Sequence, residues 1–116
     1  MLRTCVICTL FVAWAAPRVQ GPVEIRAVLA TAAVADDADD PAIWIHPSDP
    51  ARSLILGTNK VKSPRGALVV FGLDGAIRQV AGELDRPNNV DVEYGLRLGG
   101  GTVDIAVVTE RLQRRL

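Results

Sequence analysis

The sequence predicts an all-β fold, on three observations. After residue 36, short apolar runs are separated at nearly regular intervals by turn-forming residues. Val90, Val92 and Tyr94 alternate with acidic residues, which is the pattern of a half-buried strand. No stretch after residue 36 keeps the apolar period of an amphipathic helix over several turns. Short strands of this kind are typical of a sandwich, a barrel or a propeller.

The first predicted strands lie on either side of a proline-containing loop. Residues 17–35 form a mixed lead-in with enough apolar side chains for an early strand. Residues 42–46 form an apolar run that ends at a segment with two prolines, which exclude a continuing helix. Residues 53–58 form the next apolar run, and a loop follows over residues 59–65.

A hairpin is predicted in the middle of the chain. Two apolar runs, residues 67–73 and 76–81, flank the dipeptide Asp74-Gly75. This dipeptide favours a two-residue type I′ turn, in which both central residues need a positive φ.

The last predicted strands are residues 89–96 and 103–109, separated by the glycines at 99–101. Residues 103–108 are apolar enough for a central strand, which needs partners on both sides. Because the chain ends in the basic segment 112–115 with no sign of a domain end, we expect it to be the first part of a longer domain. The alternative is a small closed barrel with a basic tail, for which the number of strands barely suffices.

The N-terminus has the pattern of a secretory signal peptide. A basic start is followed by an uncharged apolar run over residues 4–16, in which Ala13-Trp14-Ala15 is a cleavage site of the A-x-A type. We therefore predict a signal peptide over residues 1–16 and a secreted or periplasmic product. An uncleaved membrane anchor is the alternative, but this run is shorter than the about 20 residues of a span. Both cysteines lie in the signal, so the mature chain has no disulfide.

The charge balance excludes one class of partner. The complete chain has 13 basic and 13 acidic residues, and removal of residues 1–16 takes away only Arg3, which leaves a net charge of −1. A nucleic-acid binder should show a strong basic excess. We therefore expect no nucleic-acid partner. Separately, once the signal peptide is removed, we expect no membrane partner.

The most acidic segment is DDADD at residues 36–40. Its four carboxylates repel one another unless a cation lies among them, and hard oxygen ligands favour calcium or magnesium. We expect a loop that presents these groups just before a strand, and a solvated acidic loop is the alternative. A second oxygen-rich corner is Asn88, Asn89 and Asp91, although Pro-Asn-Asn also forms turns without any ligand.

Two cations follow apolar runs at places where a strand is predicted to end. Lys60 and Arg111 could each hold a phosphate group by charge-assisted hydrogen bonds, and solvated surface charge is the alternative for both. His46, the single histidine, has no nucleophile–acid arrangement around it in the sequence. We interpret His46 as a structural residue in the turn beside Pro47.

Taken together, these segments resemble the β-propeller phytases, the alkaline calcium-dependent phytases of bacteria. The resemblance runs from about residue 24 to the end, with the motifs in the family's order and at its spacing. The motifs are DDPAIWIHP (39–47), GTNK (57–60), LDG (73–75), PNNVDV (87–92) and VDIA (103–106).

The resemblance implies a six-bladed propeller with several calcium ions, of which residues 17–116 form the first one or two blades. It implies that Asp39 and Asp40 are calcium ligands, one towards the active face and one in a structural site. Asn89 and the carbonyl of Val90 look like partners in that structural site.

The same resemblance implies two phosphate contacts. Lys60 is one, and Arg111 falls at the position of a phosphate-binding arginine. The family's usual neighbours before that arginine are Ser-Asn or Thr-Asn, whereas Thr109-Glu110 precedes it here. An acid beside this arginine fits the role only if Glu110 points to the other face, which strand alternation permits.

The function implied is calcium-dependent hydrolysis of phytate phosphomonoesters by a full-length parent that is expected to be a monomer, with Ca²⁺ as the cofactor. The resemblance assigns no catalytic residue within this chain, and we expect the chain by itself to be inactive. The alternatives are a non-catalytic, calcium-stabilised β-module for binding or scaffolding, and a β-propeller lactonase or similar calcium hydrolase.

Overall fold

The computed structural model of the protein describes residues 21–116. The signal peptide predicted over residues 1–16 lies outside the described residues and stays a prediction. The described residues form six strands in two antiparallel sheets, with one short 3₁₀ turn at Pro50–Arg52, which confirms the all-β class. None of their helical segments is long and apolar enough to cross a bilayer. The strands are β1 (Ala38–Trp44), β2 (Leu54–Asn59), β3 (Gly66–Gly72), β4 (Ile77–Leu84), β5 (Pro87–Leu98) and β6 (Gly101–Glu110).

The first four strands form one antiparallel meander, in which each strand pairs with the next one along the chain. A four-stranded antiparallel sheet is the repeating unit of β-propellers, so the first sheet has the form of one blade. Strand β1 lies at an edge of this sheet and tolerates Pro41 for that reason. Its register shifts between Ala38 and Pro41.

The predicted hairpin forms between β3 and β4, but its turn differs from the predicted type. Gly75 has a φ of 79°, whereas Asp74 is not among the residues with a positive φ. The N–H of Gly75 donates to the carbonyl of Gly72 at 2.9 Å, and the N–H of Gly72 donates to the carbonyl of Ala76 at 3.0 Å. The loop is therefore longer than two residues, and only its last position needs the left-handed conformation.

The second sheet is the long hairpin of β5 and β6. Its turn is Gly99-Gly100, where both residues have a positive φ, as a two-residue hairpin turn with primed geometry requires. The sequence predicted a central strand at residues 103–108. In the described part of the chain β6 pairs with β5 along its length, and its other backbone pairing is a bridge from Glu110 to Arg115.

The core lies on both faces of the first sheet. Leu56, Leu68 and Val90 form a buried cluster that joins this sheet to β5. On the opposite face, Phe71 is buried with its neighbours in β3. Partly buried residues complete the two clusters: Ala42, Trp44, Leu84, Val92 and Val108 on the first, and Val34 and Ile55 on the second.

The lead-in runs along the second cluster without forming a strand. Residues 21–37 have no strand assignment, so the early strand that the sequence allows does not form within the described residues. Val23, Ile25 and Val28 are exposed, because none of the described strands pairs with this segment. The N–H of Ala32 donates to the carbonyl of Gly75 at 2.8 Å and holds the segment against the hairpin.

Polar contacts tie β1 and the residue after it to the second sheet. Trp44 Nε1 donates to Asp104 Oδ2 at 2.8 Å, and the N–H of Ile45 donates to the Tyr94 hydroxyl at 2.9 Å. Asp104 also accepts the N–H of Gly95 at 2.9 Å. The hydrogen bond from Trp44 and then that from Gly95 lower the pKa of Asp104 below its ordinary value.

His46 has the structural role that the sequence predicts. Its Nδ1 accepts the N–H groups of Ser48 at 3.3 Å and Asp49 at 3.1 Å, which closes the turn after β1. Its ring meets Trp44 edge-on, with the ring centroids 5.2 Å apart.

Candidate functional site

Four chain segments meet at one end of the two sheets, which we call the site end. They are residues 36–40 at the start of β1, 59–65 after β2, 84–90 before and within β5, and 109–115 after β6. Antiparallel pairing brings these segments together, because the start of one strand lies beside the end of the next. All six residues proposed from the sequence as metal or phosphate contacts lie in these segments: Asp39, Asp40, Lys60, Asn89, Val90 and Arg111.

Backbone hydrogen bonds join the four segments into a row. The N–H of Lys60 donates to the carbonyl of Asp37 at 2.8 Å. The next residue, Val61, accepts the N–H of Arg86 at 2.9 Å, and the carbonyl of Arg86 accepts the N–H of Arg111 at 3.2 Å. The acidic segment, Lys60 and Arg111 are therefore held in a fixed order across the two sheets.

The first pair at the site end is Asp39 with Lys60. Lys60 Nζ lies 2.5 Å from Asp39 Oδ1, and 20% of the lysine side chain and 30% of the aspartate side chain are exposed. The sequence suggested a separate metal ligand and phosphate contact, and the fold brings these two side chains into direct contact. The pair is open enough to the solvent for a ligand to reach it.

The second pair is Asp40 with Val90. Asp40 Oδ2 accepts the N–H of Val90 at 2.9 Å, and Val90 is 5% exposed. The N–H of Asp40 donates to Oγ1 of the fully buried Thr58 at 3.1 Å. The two aspartates thus have different partners, and their roles as calcium ligands stay predictions.

The sequence analysis expected all four acidic residues in a loop before the strand, and this expectation is only half right. Asp36 and Asp37 precede β1, but Asp39 and Asp40 lie within it. β1 begins at Ala38, which pairs with Asn59 of β2. The register shifts between this pair and Pro41. This placement holds the last two carboxylates on a paired strand.

Asn89 is exposed, beside the second pair. Its N–H donates to Thr109 Oγ1 at 3.0 Å, and its side-chain oxygen accepts from Asn88 Nδ2 at 2.5 Å. Val90 contributes its N–H to Asp40, and its predicted role as a carbonyl ligand stays a prediction. Asp40 accepts the N–H of Val90, the residue after Asn89 in β5, so both side chains belong to the same part of the site end.

Arg111 and Glu110 point to different sides, which was the condition for Arg111 to bind phosphate. Glu110 is buried, with 4% exposure, and its carboxylate accepts the N–H of Asp85 at 2.7 Å and pairs with Arg115. The hydrogen bond from Arg115 and then that from Asp85 lower the pKa of Glu110. The bond to Glu110 in turn raises the pKa of Arg115. Arg111 is exposed and forms no ion pair with Glu110.

The sequence analysis missed the role of Asn59, although this residue lies in the GTNK motif. Asn59 is 4% exposed, and its Nδ2 donates to Asp36 Oδ2 at 3.1 Å and to the carbonyl of Arg65 at 2.9 Å. Its Oδ1 accepts the N–H of Asp37 at 3.0 Å. Asn59 therefore ties the acidic segment to the loop after β2, and a buried polar residue at a strand end is the signal that marks it.

The donor chemistry of the site end fits calcium, although these residues supply only part of a ligand shell. Asp39 and Asp40 each use one carboxylate oxygen in the contacts above, and calcium selects such hard oxygen donors. No group of three or more acidic, histidine or cysteine side chains in residues 21–116 is arranged to hold a metal ion. Calcium takes about 6–8 oxygen ligands, so waters, carbonyls or other residues would have to complete such a shell.

Comparisons with known proteins give the family. A sequence model of the family described as Phytase matches residues 6–115. The chain is also similar to a 3-phytase of Bacillus subtilis (strain 168), with 43% identity over 77 residues. That alignment covers 66% of this chain and 19% of the relative, so the chain spans about a fifth of the length of that relative.

Proposed function

Because the chain belongs to the phytase family, we propose that the complete protein containing it hydrolyses phosphomonoesters of phytate in a calcium-dependent reaction. The proposal concerns the complete protein, since the aligned part of this chain covers 19% of the 3-phytase relative. The observation that carries it is the contact between Asp39 and Lys60 at the site end, in a row that also contains Arg111.

The acidic segment at residues 36–40 is the part of the site end where a cation would bind. Phytate is a polyanion, and the four carboxylates of residues 36–40 repel it. Two of these carboxylates already have cationic partners, since Asp36 pairs with Arg65 and Asp39 with Lys60. Asp39 and Asp40 would hold calcium here, and the bound ion would supply positive charge and Lewis-acid chemistry that lowers the pKa of a bound water.

The protein's own residues bind and orient the substrate. Lys60 Nζ has three N–H donors and gives at least one of them to Asp39, which leaves others for a phosphoryl oxygen. Arg111 offers a planar donor fork suited to phosphate, and Glu110 does not compete for it because its carboxylate is buried with Arg115 and Asp85. The two cations would stabilise the negative charge on the phosphoryl oxygens.

Phosphate release by the complete protein tests the proposal directly. We expect release from phytate in the presence of Ca²⁺, loss of activity with a chelator, and recovery when Ca²⁺ is restored. Turnover of a lactone in place of phytate would assign the protein to a different class of hydrolase. Calcium binding that stabilises the protein without any turnover would support a non-catalytic module and overturn the proposal.

Lys60→Ala is the sharpest variant, and Lys62→Ala is its matched control. Lys62 is exposed, lies two residues further along the same loop and forms no ion pair within residues 21–116. We expect Lys60→Ala to lower kcat/KM for phytate by about a hundredfold, because one charge-assisted contact to the phosphoryl group is lost. Lys62→Ala should change kcat/KM by less than about twofold. Equal effects in the two variants would contradict the assigned role.

A further inference from the structure

Arg86 lies in the row of hydrogen bonds between Lys60 and Arg111, although no sequence motif singled it out. Its N–H donates to Val61, the neighbour of Lys60, and its carbonyl accepts the N–H of Arg111. We propose that the Arg86 side chain is a third phosphate contact of this site. The inference rests on the proposed function and adds a residue to it.

The backbone of Arg86 is in a conformation that suits glycine better than arginine. Its φ is 58°, in the left-handed region that non-glycine residues rarely adopt. Glu83 and Arg114 share this conformation, but both are exposed, whereas Arg86 is half-buried. A side chain kept at a position with a steric cost is a reason to look for a function of that side chain.

The guanidinium of Arg86 has a donor without an acceptor. Its Nε is shielded from solvent and has no hydrogen-bond partner among the described residues. Arg86 also forms none of the ion pairs found in residues 21–116. Buried polar groups in native proteins are nearly always paired, so the described residues leave the Arg86 guanidinium incompletely satisfied.

The acids next to this row have other partners. Asp85 Oδ1 accepts the N–H of Ser63 at 3.4 Å, and Asp85 Oδ2 accepts from Gln113 Nε2 at 2.8 Å. Glu110 pairs with Arg115 and accepts the N–H of Asp85. Neither carboxylate pairs with Arg86, so its guanidinium has no ion-pair partner among the described residues.

A phosphate group matches these donors. The guanidinium presents N–H groups in a fixed fork that binds two oxygens of one phosphate, and such charge-assisted hydrogen bonds are the stronger kind. Phytate carries several phosphate groups on one ring. A row of three cations, Lys60, Arg86 and Arg111, can therefore bind more than one of those groups at the same time.

Arg86→Gly in the complete protein separates a role in binding from a role in folding. Glycine adopts a positive φ without steric cost, so this variant should keep or raise the melting temperature while it removes the guanidinium. We expect KM for phytate to rise about tenfold with kcat changed by less than about threefold. Arg86→Lys should recover part of the lost affinity, and the inhibition constant of inorganic phosphate should rise in parallel with KM.

The control is Arg97→Ala, which removes an exposed arginine near the other end of β5 and should leave KM unchanged. An unchanged KM in Arg86→Gly, beside an active unmodified protein, would overturn this inference and leave the proposed function standing. A fall in melting temperature and kcat with constant KM would show that Arg86 is structural, which also overturns it. No phytate hydrolysis by the unmodified protein would overturn the proposed function itself.

Discussion

Glu110 is buried although the next residue, Arg111, is exposed. Its carboxylate can be buried because two groups of the protein donate hydrogen bonds to it. The N–H of Asp85 and the guanidinium of Arg115 both donate to its carboxylate, which keeps the pKa of Glu110 below its ordinary value. This arrangement frees Arg111 from an adjacent competitor. Arg111 therefore stays available to a ligand because the carboxylate of the preceding residue is paired elsewhere.

Because the pKa of Glu110 is lowered in the folded protein, we expect the contribution of this residue to the stability of the fold to depend on pH. A carboxylate with a folded pKa below the unfolded value, here about 4.5, contributes stability above that pH and loses it as the pH falls through the folded pKa. We expect Glu110→Gln to lower the melting temperature of the complete protein at pH 7. Between about pH 5 and pH 3 the difference in melting temperature between Glu110→Gln and the unmodified protein should become smaller.

Thermal unfolding followed at a series of pH values measures this difference. Glu93→Gln is a suitable control, because Glu93 is exposed and forms no ion pair in the described residues. A gap between Glu110→Gln and the unmodified protein that stays constant from pH 7 to pH 3 would contradict the stated cause.

At the scale of elements, the first sheet is stabilised at its far end by the turn between β3 and β4. Gly75 has a φ of 79°, and a Cβ at this position would lie 2.6 Å from the carbonyl oxygen of Ala30. This close approach lets the lead-in pack against the hairpin, where Ala32 donates to Gly75 and Val34 joins the second core cluster. The absence of a side chain at Gly75 thus allows the lead-in, which forms no strand, to pack against the turn.

Gly75→Ala should destabilise the complete protein by about 1–3 kcal/mol, since alanine is strained at this φ and its methyl group clashes with backbone. The matched control is Gly82→Ala in β4, where an added Cβ meets nothing within 4 Å. Denaturant unfolding of both variants gives the two free energies of unfolding. Comparable values for the two would show that the close packing at Gly75 contributes little.

At the scale of the whole molecule, the described chain leaves much apolar surface uncovered. Its two sheets expose large apolar side chains on β4 and on the β5–β6 hairpin, and among residues 21–116 no sheet is closed. Exposed apolar strands with unpaired edges promote association. The apolar residues concerned are Ile77, Val80, Leu98 and Val103.

Purified residues 17–116 should therefore associate and should lack phytase activity. Size-exclusion chromatography is expected to give oligomers or aggregates, and thermal unfolding should show no sharp cooperative transition. Phosphate release from phytate in the presence of Ca²⁺ should stay at background, with the complete protein as the positive control. A monomer that unfolds cooperatively and hydrolyses phytate would contradict the prediction that more of the protein is needed.

The sequence by itself determined the fold class, the approximate positions of the strands and the residues that gather at the site end. Strand periodicity and turn chemistry are local properties, so the alternation at Val90, Val92 and Tyr94 and the glycines at 99–101 predict structure without knowledge of any partner. The motif order was also sufficient to identify the family, which the match over residues 6–115 confirms.

The tertiary structure alone decided which side chains meet. The pairing of Asp39 with Lys60, the inward orientation of Glu110 and the position of Arg86 between two cations depend on hydrogen bonds across separate strands. The type of turn at Asp74-Gly75 and the start of β1 within the acidic segment were predicted wrongly for the same reason. Register and long-range packing set these features, and neither is encoded in the residues next to them.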